Sequence, residues 1–142
     1  LDACLTVYDS VDAVIKVLLL PITAHEKAAQ KIKKNEESLT IDLDKNPDIL
    51  KLLGEKKDHQ FLVGFAAETQ NLIANAAAKV QKKHLDMIVA NDVTAPGAGF
   101  STDTNIVKLL FPDGSIKEPG LMSKEDVGNL ILDIVRDQTA EK

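Results

Sequence analysis

The sequence predicts an α/β fold: a Rossmann-like parallel sheet flanked by helices, with an antiparallel hairpin at one end. Two short apolar runs, residues 61–67 and 85–90, have the character of strands buried on both faces of a parallel sheet. Between them, residues 70–84 have the length and pattern of a crossover helix, which completes one βαβ unit. Further on, Pro112-Asp113-Gly114 is a turn signal between two apolar stretches, as expected of a hairpin. The βαβ unit puts residues 66–69 and 91–94 beyond the carboxyl ends of its strands, the edge where open α/β sheets bind ligands.

The 142 residues suit one domain with a real core. A formal charge of −5 argues against a general nucleic-acid binder. The single cysteine, Cys4, excludes an intrachain disulfide and suits a reducing, cytoplasmic setting. No apolar run is long enough to span a bilayer, so no membrane partner is expected. Leu1 is not an initiator methionine, which suggests that a longer protein precedes it.

Apolar residues at Leu1, Cys4, Leu5 and Tyr8 have helical spacing. Residues 13–20 read as a buried strand that Pro21 ends, since proline cannot donate to a ladder. A connector, 22–30, leads to Lys31-Ile32-Lys33-Lys34, which composition alone reads as a solvated charged edge. Residues 39–43 alternate apolar and polar, as in a half-exposed strand. Asn46-Pro47-Asp48 then has three helix-opening features: a capping Asn, a Pro suited to the first helical position and an acid for the positive dipole end. The helix continues through Ile49, Leu50, Leu52 and Leu53, with Gly54 either ending it or lying within it.

At the exit of the central strand, the small residues of Gly64-Phe65-Ala66-Ala67 would let a ligand approach the backbone, and Thr69 is placed to cap the next helix. Phe65 is either core or a platform for a planar base, with core the simpler reading. In the crossover helix, Leu72, Ile73, Ala76, Ala77 and Val80 form the expected buried stripe, while Asn75, Lys79 and Lys83 share another face. Lysines one turn apart are usually solvated, although they can also bracket a phosphate chain. Residues 105–111 and 115–117 are the expected hairpin strands. Ser123 caps a last helix whose buried face is Val127, Leu130, Ile131, Ile134 and Val135.

The chain has no Cys/His cluster for zinc, no phosphate-binding glycine loop followed by Lys-Ser/Thr and no nucleophile elbow. His25, His59 and His84 stand in polar contexts, and no residue is assigned to a metal.

Gln30-Lys31-Ile32-Lys33-Lys34, Asn46-Pro47-Asp48-Ile49-Leu50, Val63-Gly64-Phe65-Ala66-Ala67-Glu68-Thr69, Leu85-Asp86-Met87-Ile88-Val89-Ala90-Asn91-Asp92 and Gly99-Phe100-Ser101-Thr102-Asp103-Thr104-Asn105 occur in an order and spacing that resemble one family. It is phosphopantothenate–cysteine ligase, the second activity of a bacterial bifunctional flavoprotein of coenzyme A biosynthesis. The resemblance implies that CTP, with magnesium, activates the carboxylate of 4′-phosphopantothenate as an acyl-cytidylate. The cysteine amine then displaces CMP. Such chemistry needs positioned cations and no protein nucleophile.

By this resemblance Lys31 is the catalytic flap lysine, and Asn46, Pro47, Asp48 and Ile49 contact CTP. Phe65 packs at the nucleotide, and Lys79 and Lys83 bind the triphosphate. The hairpin serves a homodimer, and a flavin-dependent decarboxylase domain is a possible fusion partner. The family's N-terminal phosphate-binding segment has no counterpart here, and Pro21 stands near the position of an expected Asp. These departures keep a second reading open, a non-catalytic nucleotide-binding or dimerisation fragment. A third is another nucleotide-binding α/β enzyme of like architecture.

Overall fold

A computed structural model describes residue 6 and residues 8–16, 22–24, 43–95 and 102–140, with backbone only at 22–24. The chain divides into two compact units, Leu1–Leu18 with Ile49–Lys142, and Leu19–Asp48. In the smaller, β2 (Ile22–Ala24) pairs antiparallel with β3 (Leu43–Lys45). The expected connector therefore begins as a strand. β3 is fully exposed, and it extends two residues beyond the expected end. The lysine run 31–34 lies outside the described residues.

The larger unit holds a five-stranded mixed sheet in the order β1-β4-β5-β6-β7. β1 (Ala13–Lys16), β4 (Phe61–Glu68) and β5 (Met87–Asp92) are parallel, while β6 (Thr104–Leu110) and β7 (Ile116–Ser123) continue the sheet antiparallel. The helices whose bounds are described are α1 (Ile49–Glu55), α2 (Leu72–Lys82) and α3 (Lys124–Ala140), and Thr6 and Tyr8 are helical as well.

Alternation along the strands sorts the core into two layers. Leu62, Ala66, Ile88 and Ala90 point toward α1 and α2, where they meet Leu50, Leu53, Ala76 and Val80. Phe61, Val63, Met87, Val89, Val107 and Leu109 point the other way and pack on Val127, Ile131 and Ile134 of α3. The layer beneath α1 also buries Tyr8, whose hydroxyl donates to the Leu53 carbonyl at 2.8 Å. Gln60 is 1% exposed, and its amide is used on both sides: Nε2 donates to Tyr8 O at 3.1 Å and Oε1 accepts from Asp58 N at 3.0 Å.

Two glycines permit this packing. A Cβ on Gly64 would lie 2.9 Å from both Leu50 and Leu85. Gly64 thus serves helix-on-sheet packing, not the ligand approach expected of it. Gly54 lies inside α1, where a Cβ would sit 1.9 Å from the Lys83 carbonyl oxygen.

Several local expectations need correction. Among the described residues β1 stands at the end of the strand order and is only half-buried, with Ile15 exposed. α1 begins at Ile49, so Pro47 lies before the helix and not at its first position. Thr69 is not the cap of α2. Asn71 holds that position at φ 50° and ψ 38°, a left-handed conformation that Asn tolerates. Ile73 and Ala77 are exposed, because the stripe that α2 buries is narrower than the apolar pattern. β7 continues past Lys117 through Pro119 and Gly120 to Ser123, which an edge position allows. Ser123 does cap α3: its hydroxyl accepts from Asp126 N at 3.0 Å and donates to the Asp126 carboxylate at 2.7 Å.

Candidate functional site

The parallel strands β4 and β5 end side by side, with Glu68 paired to Asp92. Both side chains belong to the face covered by α2, since each continues the alternation of Ala66 and Ala90. Their partners differ. Glu68 is gripped from α2, where Asn75 Nδ2 donates to Oε2 at 3.1 Å and Lys79 Nζ pairs with Oε1. Asn75 and Lys79 are one helical turn apart, so a single strand-end carboxylate meets both. The Lys79 hydrogen bond is the main cause holding the Glu68 carboxyl below the usual glutamate range; Asn75 adds to it and partial burial opposes it. Asp92 closes its own turn, accepting from Thr94 Oγ1 at 2.6 Å and Thr94 N at 2.9 Å. The Thr94 hydroxyl leads the contributions that hold its carboxyl down.

Four of the predicted residues, Ile49, Phe65, Lys79 and Lys83, belong to this larger unit. Ile49, at the start of α1, packs partly buried against the same core layer as Ala66 and Leu72. Lys79 stands at Glu68 with its side chain 40% exposed, within reach of a ligand. Lys83 is the first residue after α2, one turn further from the carboxyl edge, and its carbonyl abuts Gly54. Phe65 lies on the opposite face, partly buried against Val63, Val89 and the α3 layer. A ligand in the crevice outside the strand ends could touch both faces. Asn46, Pro47 and Asp48 belong to the smaller unit and follow β3 without regular structure. Lys31 lies outside the described residues.

At the other end of the strands, Lys57 Nζ meets both Asp86 carboxylate oxygens at 2.9 Å and the His84 carbonyl at 3.1 Å. Asp86 also accepts from Leu62 N at 2.7 Å. This clamp ties the ends of α1 and α2 to the start of β4. The two edges thus differ in kind, one locked by structural bonds and the other carrying a half-exposed cation. Among the described residues no group of three His, Cys, Asp or Glu could hold a metal ion, and no helix is long and apolar enough to cross a membrane.

Sequence reasoning missed Glu68 as the partner of Lys79. The available signal was Asn75 and Lys79 at i, i+4 opposite a strand-end acid. It also missed Asn91, whose Oδ1 is buried without a hydrogen-bond partner. The signal there was an amide directly after the apolar run of β5.

Residues 1–138 match the DNA/pantothenate metabolism flavoprotein C-terminal domain, and the chain belongs to that family. It is 50% identical over 132 residues to the coenzyme A biosynthesis bifunctional protein CoaBC of Bacillus subtilis (strain 168), covering 92% of this chain and 32% of that protein. With the CoaBC of Escherichia coli (strain K12) it shares 44% identity over 119 residues, 81% of this chain and 29% of that protein. The chain therefore spans about a third of the length of these relatives. Its fold matches a crystal structure of the C-terminal domain of CoaBC with a TM-score of 0.77 and 33% identity, covering 99% of this chain and 61% of the other.

Proposed function

We propose that this chain is the nucleotide-binding part of a phosphopantothenate–cysteine ligase, a single ligase domain that uses CTP in coenzyme A biosynthesis in the cytoplasm. The observation that carries the reading is Lys79, a half-exposed cation at the carboxyl edge of β4 and β5, in a family whose relatives are named for coenzyme A biosynthesis.

In this reading the triphosphate takes over Lys79 from Glu68, exchanging one anionic partner for another, and Lys83 adds charge one turn away. Ile49 borders the nucleotide on the α1 side and Phe65 on the α3 side. The roles of Lys31 at the reacting phosphate, and of Asn46, Pro47 and Asp48 at CTP, rest on the sequence resemblance. The 4′-phosphopantothenate carboxylate attacks the α-phosphorus of CTP, the bond to the β-phosphate oxygen breaks and pyrophosphate leaves. The cysteine amine then attacks the acyl carbon, and CMP leaves with the electrons of the broken acyl–oxygen bond. Cations aimed at the phosphates stabilise the charge that develops in the first step. Magnesium enters as the partner of the triphosphate, as is usual for nucleotide-bound Mg²⁺.

The long, exposed edge strand β7, with Leu121 60% exposed, supports a homodimer built by pairing hairpins. The relatives are bifunctional by name, which supports fusion to a decarboxylase domain.

Pyrophosphate release in the presence of CTP, magnesium, 4′-phosphopantothenate and cysteine tests the reading. Release that requires CTP and 4′-phosphopantothenate is the expected result. CTP binding without release would favour the second reading, a binding and dimerisation fragment. A preference for ATP over CTP would count against both.

A further inference from the structure

Asn91 closes the apolar run of β5, and it carries the only buried side-chain polar atom without a hydrogen-bond partner among the described residues. Met87 and Val89 precede it on the same face and pack in the α3 layer, so Asn91 points to the side occupied by Phe65. It is flanked in register by Ala67 on β4 and Val107 on β6. Phe65 stands two residues below Ala67, opposite Val89. One strand spacing across and two residues along separate Asn91 from Phe65 by roughly 8 Å between Cα atoms. Ala67 between them is exposed and carries only a methyl group. Along this face a half-buried aromatic ring is followed by an exposed methyl and then by a buried carbonyl oxygen that no donor meets.

A shielded amide oxygen loses its water without a return, and native proteins rarely keep such a group unless something else uses it. A carbonyl oxygen can only accept. What it lacks is an N–H or O–H donor, at the sheet edge where ligands enter. A planar ring laid along Phe65 and over Ala67 would bring its own edge to Asn91.

We propose that Asn91 Oδ1 is the acceptor for the exocyclic amine of the bound nucleobase, and so selects amino-bearing bases over oxo-bearing ones. This rests on the nucleotide-binding reading above and deepens it by naming a specificity residue. The shared chemistry is an N–H₂ on the base edge, offered by cytosine at N4 and adenine at N6 and absent from uracil, which presents an oxygen there. A site that hydrogen-bonds a ligand N–H rejects an analogue lacking it, because the acceptor is then left unpaired.

The test is calorimetric titration of the parent chain and of Asn91→Leu with CTP, ATP and UTP, each with magnesium, alongside thermal melts of both proteins without nucleotide. The parent should bind CTP at least tenfold more tightly than UTP, and Asn91→Leu should bring the two within twofold. The substitution should also leave Tm unchanged or raised, because it removes an unpaired polar atom from the free protein. ATP tracking CTP would extend the rule to adenine; ATP tracking UTP would confine it to the pyrimidine. Three results would overturn the inference. An unchanged CTP-to-UTP ratio in Asn91→Leu would do so while leaving the nucleotide site standing. A Tm lowered by many degrees would show that Oδ1 already serves the fold. Binding of no nucleotide by the parent would remove the nucleotide reading and this inference together.

Discussion

Replacing Glu68 by Gln should tighten CTP binding, although it removes an interaction from the folded protein. Glu68 occupies the Lys79 ammonium and presents a negative charge where the triphosphate is proposed to lie. A phosphate charge seated on Lys79 would stand about 6 Å from the Glu68 carboxylate. Their repulsion is then roughly 0.7 kcal/mol at the dielectric of water and roughly 2.8 kcal/mol at an effective value near 20. With the Lys79 side chain 40% exposed and that of Glu68 15% exposed, screening favours the lower half of that range. The expected gain is about three- to tenfold in affinity. Loss of the ion pair should cost only about 0.2–1 kcal/mol of stability, a fall in Tm of about 1–4 °C. Calorimetry on the parent, Glu68→Gln, Lys79→Ala and the double variant closes a cycle. Glu68→Gln should bind more tightly, Lys79→Ala more weakly, and the gain from Glu68→Gln should shrink in the Lys79→Ala background. Weaker binding by Glu68→Gln would refute the reasoning, because it would mean that the carboxylate itself serves the ligand.

The same pair predicts a pH effect. The Glu68 carboxyl is held below its unfolded value, so the stability it contributes is fully present above the ordinary glutamate range near about 4.3. That contribution is lost as pH falls through the depressed folded value. Carboxyl NMR titration should show Lys79→Ala moving Glu68 back toward the ordinary range. Gly54→Ala should destabilise despite a helix-propensity gain of about 1 kcal/mol, because the new methyl would meet the Lys83 carbonyl at 1.9 Å. Strain of about 3 kcal/mol from overpacking leaves a net loss of about 2 kcal/mol, read as a lower denaturation midpoint with an unchanged slope. Ser123→Ala removes the α3 cap and should cost about 1 kcal/mol in the same measurement.

The strands and helices that carry the site were legible because they are locally determined. The apolar runs of β4 and β5 and the stripe through Ala76 and Val80 announce burial wherever the chain places them. Ser123 and Asp126 declare the start of α3 by sequence alone. What sequence did not give depends on neighbours distant in the chain. β1 reads as buried from its Val and Ile, but Ile15 is exposed, and among the described residues β4 is the strand that pairs with it. Gly64 reads as ligand access, but Leu50 and Leu85 fill the space where its side chain would be. Phe65 and Lys79 read as members of one site, and strand alternation puts them on opposite faces of the sheet. Glu68 and Asn91 emerge only once β4, β5 and α2 stand side by side, since one is defined by its partners and the other by the lack of one.

Amide chemical-shift mapping during titration with CTP and magnesium tests the central claim most directly, since it reports where a nucleotide binds as well as whether it does. The largest changes are expected at Glu68, Asn75, Lys79 and Asn91, around the carboxyl ends of β4 and β5, with Lys57 and Asp86 at the opposite edge little affected. Changes centred on that opposite edge, or none at saturating CTP, would contradict that claim.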